Sequence, residues 1–168
     1  MEMNYDNFEA GTMDRIRLLA QDLRPPALDA VGLTHTLEGL CRDIAYRTQL
    51  SIDYSGLDLP MLAPAARICL YRCLQEALTN VARHAGVNEA TIELVFDPQQ
   101  TTLRVRDQGK GFDPQARMSA PRGWGVAGMR ERAESVGAEL HLQSAPEEGT
   151  VIEVTKSTVV APAAQTTA

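Results

Sequence analysis

The sequence predicts an α+β protein, a two-layer α/β sandwich in which helices cover one face of a mixed sheet. Segments with apolar residues at helical spacing are interleaved with short segments of alternating apolar and polar residues. Their order is helix, strand, helix, two strands, helix and two strands, which is typical of this class. A chain of 168 residues with 44% hydrophobic residues can bury one core.

Apolar stripes predict helices over 13–23, 33–49, 65–84 and 125–136. The first ends before Pro25, because a residue that precedes proline is disfavoured in the α conformation. The last is closed by Gly137. The expected buried stripes of the second and third helices are Leu33, Leu37, Leu40, Cys41 and Ile44, and Leu70, Leu74, Leu78 and Val81.

Alternating residues predict five strands. The first covers 50–54. Strands over 91–96 and 102–106 are joined by the turn at 97–100, and those over 139–143 and 151–155 form a hairpin. We expect an N-terminal segment over 1–24, a domain over 25–156, and a disordered tail over 157–168.

Charge and cysteine content exclude several classes of function. The net charge of −6 without a Lys/Arg cluster argues against nucleic acid binding. No apolar run is long enough to span a bilayer, and nothing resembles a signal peptide, so we expect no membrane contact. Cys41, Cys69 and Cys73 form no CxxC pair, which argues against disulfide and zinc sites and fits the cytoplasm.

Glu76 and Asn80 lie four residues apart on the predicted helix 65–84 and therefore share a face. An amide oxygen is a hard ligand suited to Mg²⁺, which takes few protein ligands besides water and phosphate. Glu76 could orient or deprotonate a nucleophile. For this pair alone, a solvated helix face is the favoured interpretation.

Asp107 ends a strand in which Leu103 and Val105 point to the same face. If those two enter the core, Asp107 enters with them and needs hydrogen-bond donors, for which an adenine amino group is suitable. Gly109 and Gly111 would permit close approach to a flat ring. An ordinary β-turn explains the same residues.

Glycines at 123, 125 and 128 precede and open the predicted helix 125–136. Free backbone N–H groups at a helix start can bind phosphate. A tight helix start without any ligand is the alternative. The segment is neither a Walker A loop nor a Rossmann fingerprint.

The order and spacing of these three features resemble the Bergerat ATP-binding fold of histidine kinases, gyrase-type topoisomerases, MutL and Hsp90-type chaperones. NarX/DesK-like sensor histidine kinases are the most similar group. LRPPALDAVGL at 23–33 resembles their junction between dimerisation helices and catalytic domain, and QEALTNVARHA at 75–85 resembles their N box. DQGKG at 107–111 and the segment 123–132 resemble the G1 and G2 boxes.

The resemblance implies a role for each matching residue. Glu76 would be catalytic, Asn80 would hold Mg²⁺, and Asp107 would accept a hydrogen bond from the adenine N6 amino group of ATP. Residues 1–24 would be the remnant of a dimerisation helix, and residues 25–156 would form the ATP-binding catalytic domain. Residues 113–122 would form a lid. The other residues near the nucleotide would be Arg83, His84, Gly109, Gly111, Gly123, Gly125, Val126, Gly128, Met129 and Thr150.

The implied activity is transfer of the ATP γ-phosphoryl group to a histidine on a separate dimerisation domain, from which a response regulator would receive it. No His-Asp or His-Glu pair precedes Leu23, so we expect little autokinase activity from this chain alone. A Bergerat-type ATPase in which Glu76 activates water remains open. So do an anti-sigma-type serine kinase and a non-catalytic nucleotide-binding module.

Overall fold

The computed structural model describes residues 26–57, 62–115 and 124–158. The predicted helix 13–23, Gly123, and most of the predicted lid and tail lie outside these residues. The predicted division into segment, domain and tail therefore stays a prediction.

Within the described residues, each predicted helix and strand is present, with ends that differ by a few residues. A short additional helix follows Pro26. The elements are α1 (Ala27–Ala30), α2 (Gly32–Thr48), β1 (Ser51–Gly56), α3 (Pro64–Asn80), a π-helical turn (Val81–Ala85), β2 (Glu89–Phe96), β3 (Gln100–Asp107), α4 (Trp124–Ser135), β4 (Ala138–Ser144) and β5 (Thr150–Ser157).

The five strands form one mixed sheet in the order β1-β2-β3-β5-β4. β1 and β2 are parallel, and the other neighbours are antiparallel. β2 and β3 form a hairpin closed by reciprocal backbone hydrogen bonds between Asp97 and Gln100, as the turn residues predicted. The register of β3 with β5 places Asp107 opposite Thr150, which brings two predicted site residues together.

One face of the sheet carries the core. In β3 the buried residues alternate with accessible ones, and Leu103, Val105 and Asp107 all lie on the buried side. α3 packs against β3 and β5 and is flanked by α2 and α4. The opposite face is polar, and there Arg104 forms ion pairs with Glu93 and Glu153 at 3.0 and 2.8 Å. The predicted two-layer α+β class is confirmed.

The predicted helix 65–84 is α-helical only as far as Asn80. Residues Val81–Ala85 form a wider π-helical turn, which ends at Gly86 with a φ of 76°. Such turns occur mostly as single insertions in α-helices and are frequent at functional sites. The prediction of one continuous α-helix was wrong here, because apolar periodicity does not distinguish a single wide turn from an α-helical one.

All three cysteines are free and buried. The sulfur atoms of Cys69 and Cys73 lie 4.0 Å apart within α3. They pack as small core residues, in agreement with the sequence interpretation. Within the described part of the chain, none of the helices combines the length and apolar character needed to cross a membrane.

Gly39→Ala is expected to stabilise the fold by about 0.5–1 kcal/mol, because alanine restricts the unfolded chain and favours the helix. Gly39 lies inside α2, and a Cβ there would meet no atom within 4 Å. Urea denaturation measures the change in the free energy of unfolding.

Gly137→Ala is the matched control. A Cβ at Gly137 would contact only the Lys156 Nζ, at 3.7 Å, but the backbone has a φ of +64°. The same substitution should therefore destabilise by about 1–2 kcal/mol. Equal effects of the two variants would contradict the conformational argument.

Candidate functional site

A cavity of about 230 Å³ lies between the end of α3, the π-helical turn, the start of α4 and the ends of β3 and β5. It combines polar and apolar walls. The lining residues are Glu76, Ala77, Asn80, Val81, Arg83, His84, Ala85, Val105, Asp107, Lys110, Gly111, Phe112, Gly125, Val126, Thr150 and Ile152.

Glu76 and Asn80 reach the cavity from α3, where their spacing places them on one face. Gly125, in the first turn of α4, lies directly against them. A Cβ at Gly125 would overlap the Glu76 Oε1 and would lie 3.2 Å from the Glu76 Cδ and 3.6 Å from the Asn80 Nδ2. A larger residue at 125 would therefore require the Glu76 carboxylate to move.

Asp107 points inward at the end of β3, as the strand alternation predicted, and is only 7% exposed. Its Oδ1 accepts a hydrogen bond from the Gly109 N–H at 2.8 Å. The Thr150 N–H also donates to this carboxyl group. Burial raises the pKa of Asp107 above its ordinary value, and these two hydrogen bonds oppose the rise. The cavity therefore holds a largely desolvated carboxyl group.

The loop after Asp107 is clamped between two parts of the backbone. The Lys110 N–H donates to the Ala85 carbonyl oxygen at 2.8 Å, and a Cβ at Gly109 would overlap the same oxygen. A Cβ at Gly111 would overlap the Ala145 carbonyl oxygen, and Gly111 has a φ of +54°. Both glycines permit close approach of protein backbone. That they also admit a flat ring stays a prediction.

The structure brings together most of the predicted site residues. Of the predicted residues, those that line the cavity are Glu76, Asn80, Arg83, His84, Asp107, Gly111, Gly125, Val126 and Thr150. Gly109 and Gly128 do not line it, and Gly123 lies outside the described residues.

The inclusion of Met129 among the nucleotide-contacting residues is corrected by the structure. Its side chain is 0% exposed and belongs to the core beneath α4. Its backbone oxygen faces the Cys73 thiol, 4.0 Å away. Gly125 and Val126 of the same helix line the cavity, but the position of Met129 on the helix directs it towards α3.

The walls contributed by Val105 and Ile152 were missed by the sequence analysis. These two residues are directly opposite each other in the register of β3 with β5. Val105 could have been found, because it shares the inward face with Asp107. Lys110 and Phe112 also line the cavity. They lie within or directly after the segment 107–111, so that segment is the sequence signal for both.

The polar residues of the cavity fit a magnesium ion that is coordinated mainly by substrate phosphates and water. Among the described residues there is no group of three or more His, Cys, Asp or Glu that could hold a metal by itself. The Asn80 amide oxygen is a hard donor beside Glu76. This small donor set suits Mg²⁺, which commonly keeps several waters and binds substrate phosphates.

The chemistry of the cavity differs along its length. Asp107 offers an acceptor close to the apolar residues Val105 and Ile152 of the neighbouring strands β3 and β5. Glu76, Asn80 and Arg83 make another part of the lining polar and charged. This arrangement suits a ligand that joins a flat amino-bearing ring to an anionic group.

Comparisons with known proteins agree with this arrangement. Residues 65–159 match the family model described as histidine kinase-, DNA gyrase B- and HSP90-like ATPase. The chain is 40% identical over 145 residues to the sensor histidine kinase MctS of Rhizobium johnstonii, covering 84% of this chain and 31% of that protein. It is 32% identical over 139 residues to the sensor protein VraS of Staphylococcus aureus, covering 83% of this chain and 39% of VraS.

Among solved structures, the fold is similar to the histidine kinase AdeS of Acinetobacter baumannii, with a TM-score of 0.68 and 14% identity. That match covers 94% of this chain and 86% of the other. The mycobacterial sensor histidine kinase MprB gives a TM-score of 0.60 at 21% identity, over 74% of this chain and 93% of the other. These likenesses concern the fold.

The chain spans about a third of the length of the curated relatives that it matches. The family model covers the helix that carries Glu76 and Asn80, the strand that ends in Asp107, and the segment with Gly125. The chain therefore belongs to the family of histidine kinase-, DNA gyrase B- and HSP90-like ATPases.

Proposed function

We propose that this chain is the ATP-binding catalytic part of a sensor histidine kinase, of the NarX/DesK-like group. It would hold Mg-ATP and donate the γ-phosphoryl group to a histidine on a separate dimerisation domain. The observation that carries the proposal is the convergence of Asp107 and the Glu76–Asn80–Gly125 contact on one cavity. The similarity to sensor kinases favours this acceptor over water or serine.

The residues of the cavity have distinct tasks in this proposal. The Asp107 carboxylate accepts a hydrogen bond from the adenine amino group, and Val105 and Ile152 exclude water from the ring. Arg83 and the backbone of α4 at Gly125 neutralise and orient the phosphates. Mg²⁺, when bound, neutralises charge that develops on the transferred phosphoryl group.

Glu76 lies beside Asn80 in α3, where its carboxylate can hold the incoming imidazole in the correct tautomer. Histidine with one unprotonated ring nitrogen is already a nucleophile. Most of the catalysis then comes from orientation and from charge neutralisation.

The partners of the chain follow from this activity. A histidine-containing dimerisation domain would receive the phosphoryl group, and a response regulator would take it from there. We place the activity in the cytoplasm, where ATP is available and where three buried free thiols stay reduced.

The test is a two-part measurement on the purified chain. Calorimetric titration with Mg-ATP should show binding, and Asn80→Ala should weaken it. Labelled ATP is then incubated with the chain and a separately supplied histidine-containing dimerisation domain. Phosphate on the acceptor that survives alkali but is lost in acid indicates phosphohistidine.

Other outcomes point to the alternatives. Rapid release of free phosphate without any acceptor favours an ATPase in which Glu76 activates water. Acid-stable phosphate on a protein serine favours a serine kinase. Absence of ATP binding by the native protein contradicts the proposal as a whole.

A further inference from the structure

The Ser144 hydroxyl group, at the end of β4, contacts three other polar groups near the cavity. The Phe112 N–H donates to the Ser144 Oγ at 3.0 Å. Ser144 donates to the Gly149 carbonyl oxygen at 2.9 Å. Its oxygen also lies 3.1 Å from the Thr150 Oγ1. Ser144 itself does not line the cavity, but it contacts two residues that do, Phe112 and Thr150.

The number of protons at these contacts determines the direction of each hydrogen bond. A serine hydroxyl has one proton to donate and two lone pairs that accept. The Gly149 carbonyl can only accept, so it takes the single proton of Ser144. The Phe112 N–H occupies one lone pair. The contact with Thr150 is then a hydrogen bond only if the Thr150 hydroxyl donates its proton to Ser144.

A proton directed towards Ser144 leaves the Thr150 hydroxyl with accepting lone pairs alone for a ligand in the cavity. Asp107, which is opposite Thr150 in the sheet register, is likewise an acceptor when ionised. Two side chains at this end of the cavity thus offer acceptors. Neither offers a donor.

We propose that Ser144 is a positioning residue that makes Thr150 a hydrogen-bond acceptor, so that the site selects a purine with an amino group over a purine with an oxo group at the same position. This inference rests on the proposed function, because it assumes that the cavity takes a nucleoside triphosphate. A 6-amino group donates to both acceptors or to water held by them. A 6-oxo group would face lone pairs with its own lone pairs, and a buried polar group without a partner is costly.

Removing the Ser144 hydroxyl group releases the Thr150 proton. In Ser144→Ala the Thr150 hydroxyl can rotate and donate to a 6-oxo group. One recovered neutral hydrogen bond is worth about 0.5–1.5 kcal/mol, which is a change of about 2- to 10-fold in affinity. We therefore expect the dissociation constant for GTP, divided by that for ATP, to fall by about 2- to 10-fold in this variant.

The experiment measures dissociation constants for Mg-ATP and Mg-GTP by calorimetry on the full chain. The variants are Ser144→Ala, Thr150→Val and the double variant. In the Thr150→Val background, Ser144→Ala should leave the ratio unchanged, because the group through which it acts is gone. Ser135→Ala is the matched control, since that hydroxyl donates to the Arg132 backbone oxygen at 2.8 Å, in α4 but outside the cavity lining.

A merely structural role for Ser144 would weaken the binding of both nucleotides alike and would leave their ratio unchanged. That result overturns the inference, as does an equal change of the ratio in the Thr150→Val background. If Ser144→Ala does not fold, the nucleotide preference of Thr150→Ser and Thr150→Val tests the inference instead. The serine variant should keep the native ratio and the valine variant should lose it, and equal ratios overturn the inference.

The two proposals fail in different ways. Native protein that does not bind ATP contradicts the proposed function. If the native protein binds ATP but does not prefer it over GTP, only the role of Ser144 is contradicted. The same holds if Ser144→Ala leaves the preference for ATP unchanged.

Discussion

Asp107→Asn is expected to weaken ATP binding by about 10- to 100-fold, because a hydrogen bond to a charged acceptor contributes about 1.5–3 kcal/mol. The two backbone N–H donors from Gly109 and Thr150 already use the Asp107 carboxyl group. An asparagine side chain has only one oxygen for these two donors and the adenine amino group. Calorimetric titration of both proteins with Mg-ATP measures the loss.

In the absence of ligand, the native protein and the Asp107→Asn variant should differ in the pH dependence of their stability. Burial raises the pKa of Asp107, so the folded protein favours the neutral carboxyl group. Below the ordinary value of 3.8 this cost is absent, since the group is neutral in the folded and unfolded states. As the pH rises through the raised pKa, the native protein should lose stability relative to the asparagine variant. Urea unfolding of both proteins across this pH range measures the difference.

Asp97→Asn is the matched control for this prediction. Asp97 also accepts two backbone N–H hydrogen bonds, from Gln99 at 2.7 Å and Gln100 at 3.0 Å, but lies in an exposed turn away from the cavity. Its substitution should leave ATP affinity unchanged. If Asp107→Asn destabilises the fold and loses ATP binding together, Asp107 serves mainly to hold its loop.

Gly125→Ala is expected to slow phosphoryl transfer to a supplied acceptor domain by about 100-fold or more, since small displacements of reacting groups have effects of this size. The added Cβ would overlap the Glu76 carboxylate and force it to move. Fold stability should change by less than about 1 kcal/mol, because the atom displaced is the end of a flexible side chain and alanine favours a helix. Transfer rates and urea unfolding measure the two effects.

A double-mutant cycle tests whether the contact with Glu76 is the cause. In a Glu76→Ala background the Gly125→Ala substitution should have little further effect on transfer, because the colliding carboxylate is absent. Gly39→Ala is the control for the same change in a helix remote from the cavity. A native transfer rate in Gly125→Ala, or fully additive losses in the cycle, would show that close approach to Glu76 is not required.

Local patterns were sufficient to predict most of the fold. The stripe from Leu70 to Val81 and the alternation in β3 were both confirmed, because helices and strands bury every third or fourth residue and every second residue respectively. The inward position of Asp107 followed from the same alternation. The π-helical turn at Val81–Ala85 could not be predicted, since its wider hydrogen bonding depends on what the turn packs against.

The direction of side chains in α4 and the contacts between distant segments could be found only from the tertiary structure. Met129 lies in the same helix as Gly125 and Val126, which line the cavity, but packing of α4 on α3 buries it. The contact of Phe112 with Ser144 joins residues that are 32 apart in sequence. No local periodicity specifies such a pair.

The sequence alone determined the fold class, the shared face of Glu76 and Asn80, and the burial of Asp107, because each of these depends on spacing within one helix or strand. The tertiary structure decided which of the candidate residues meet. It set Gly125 against Glu76, packed Gly109 and Gly111 against the backbone of other segments, and linked Ser144 to Thr150. These contacts arise from the packing of separate elements, where register and distance are set by the whole sheet and its helices.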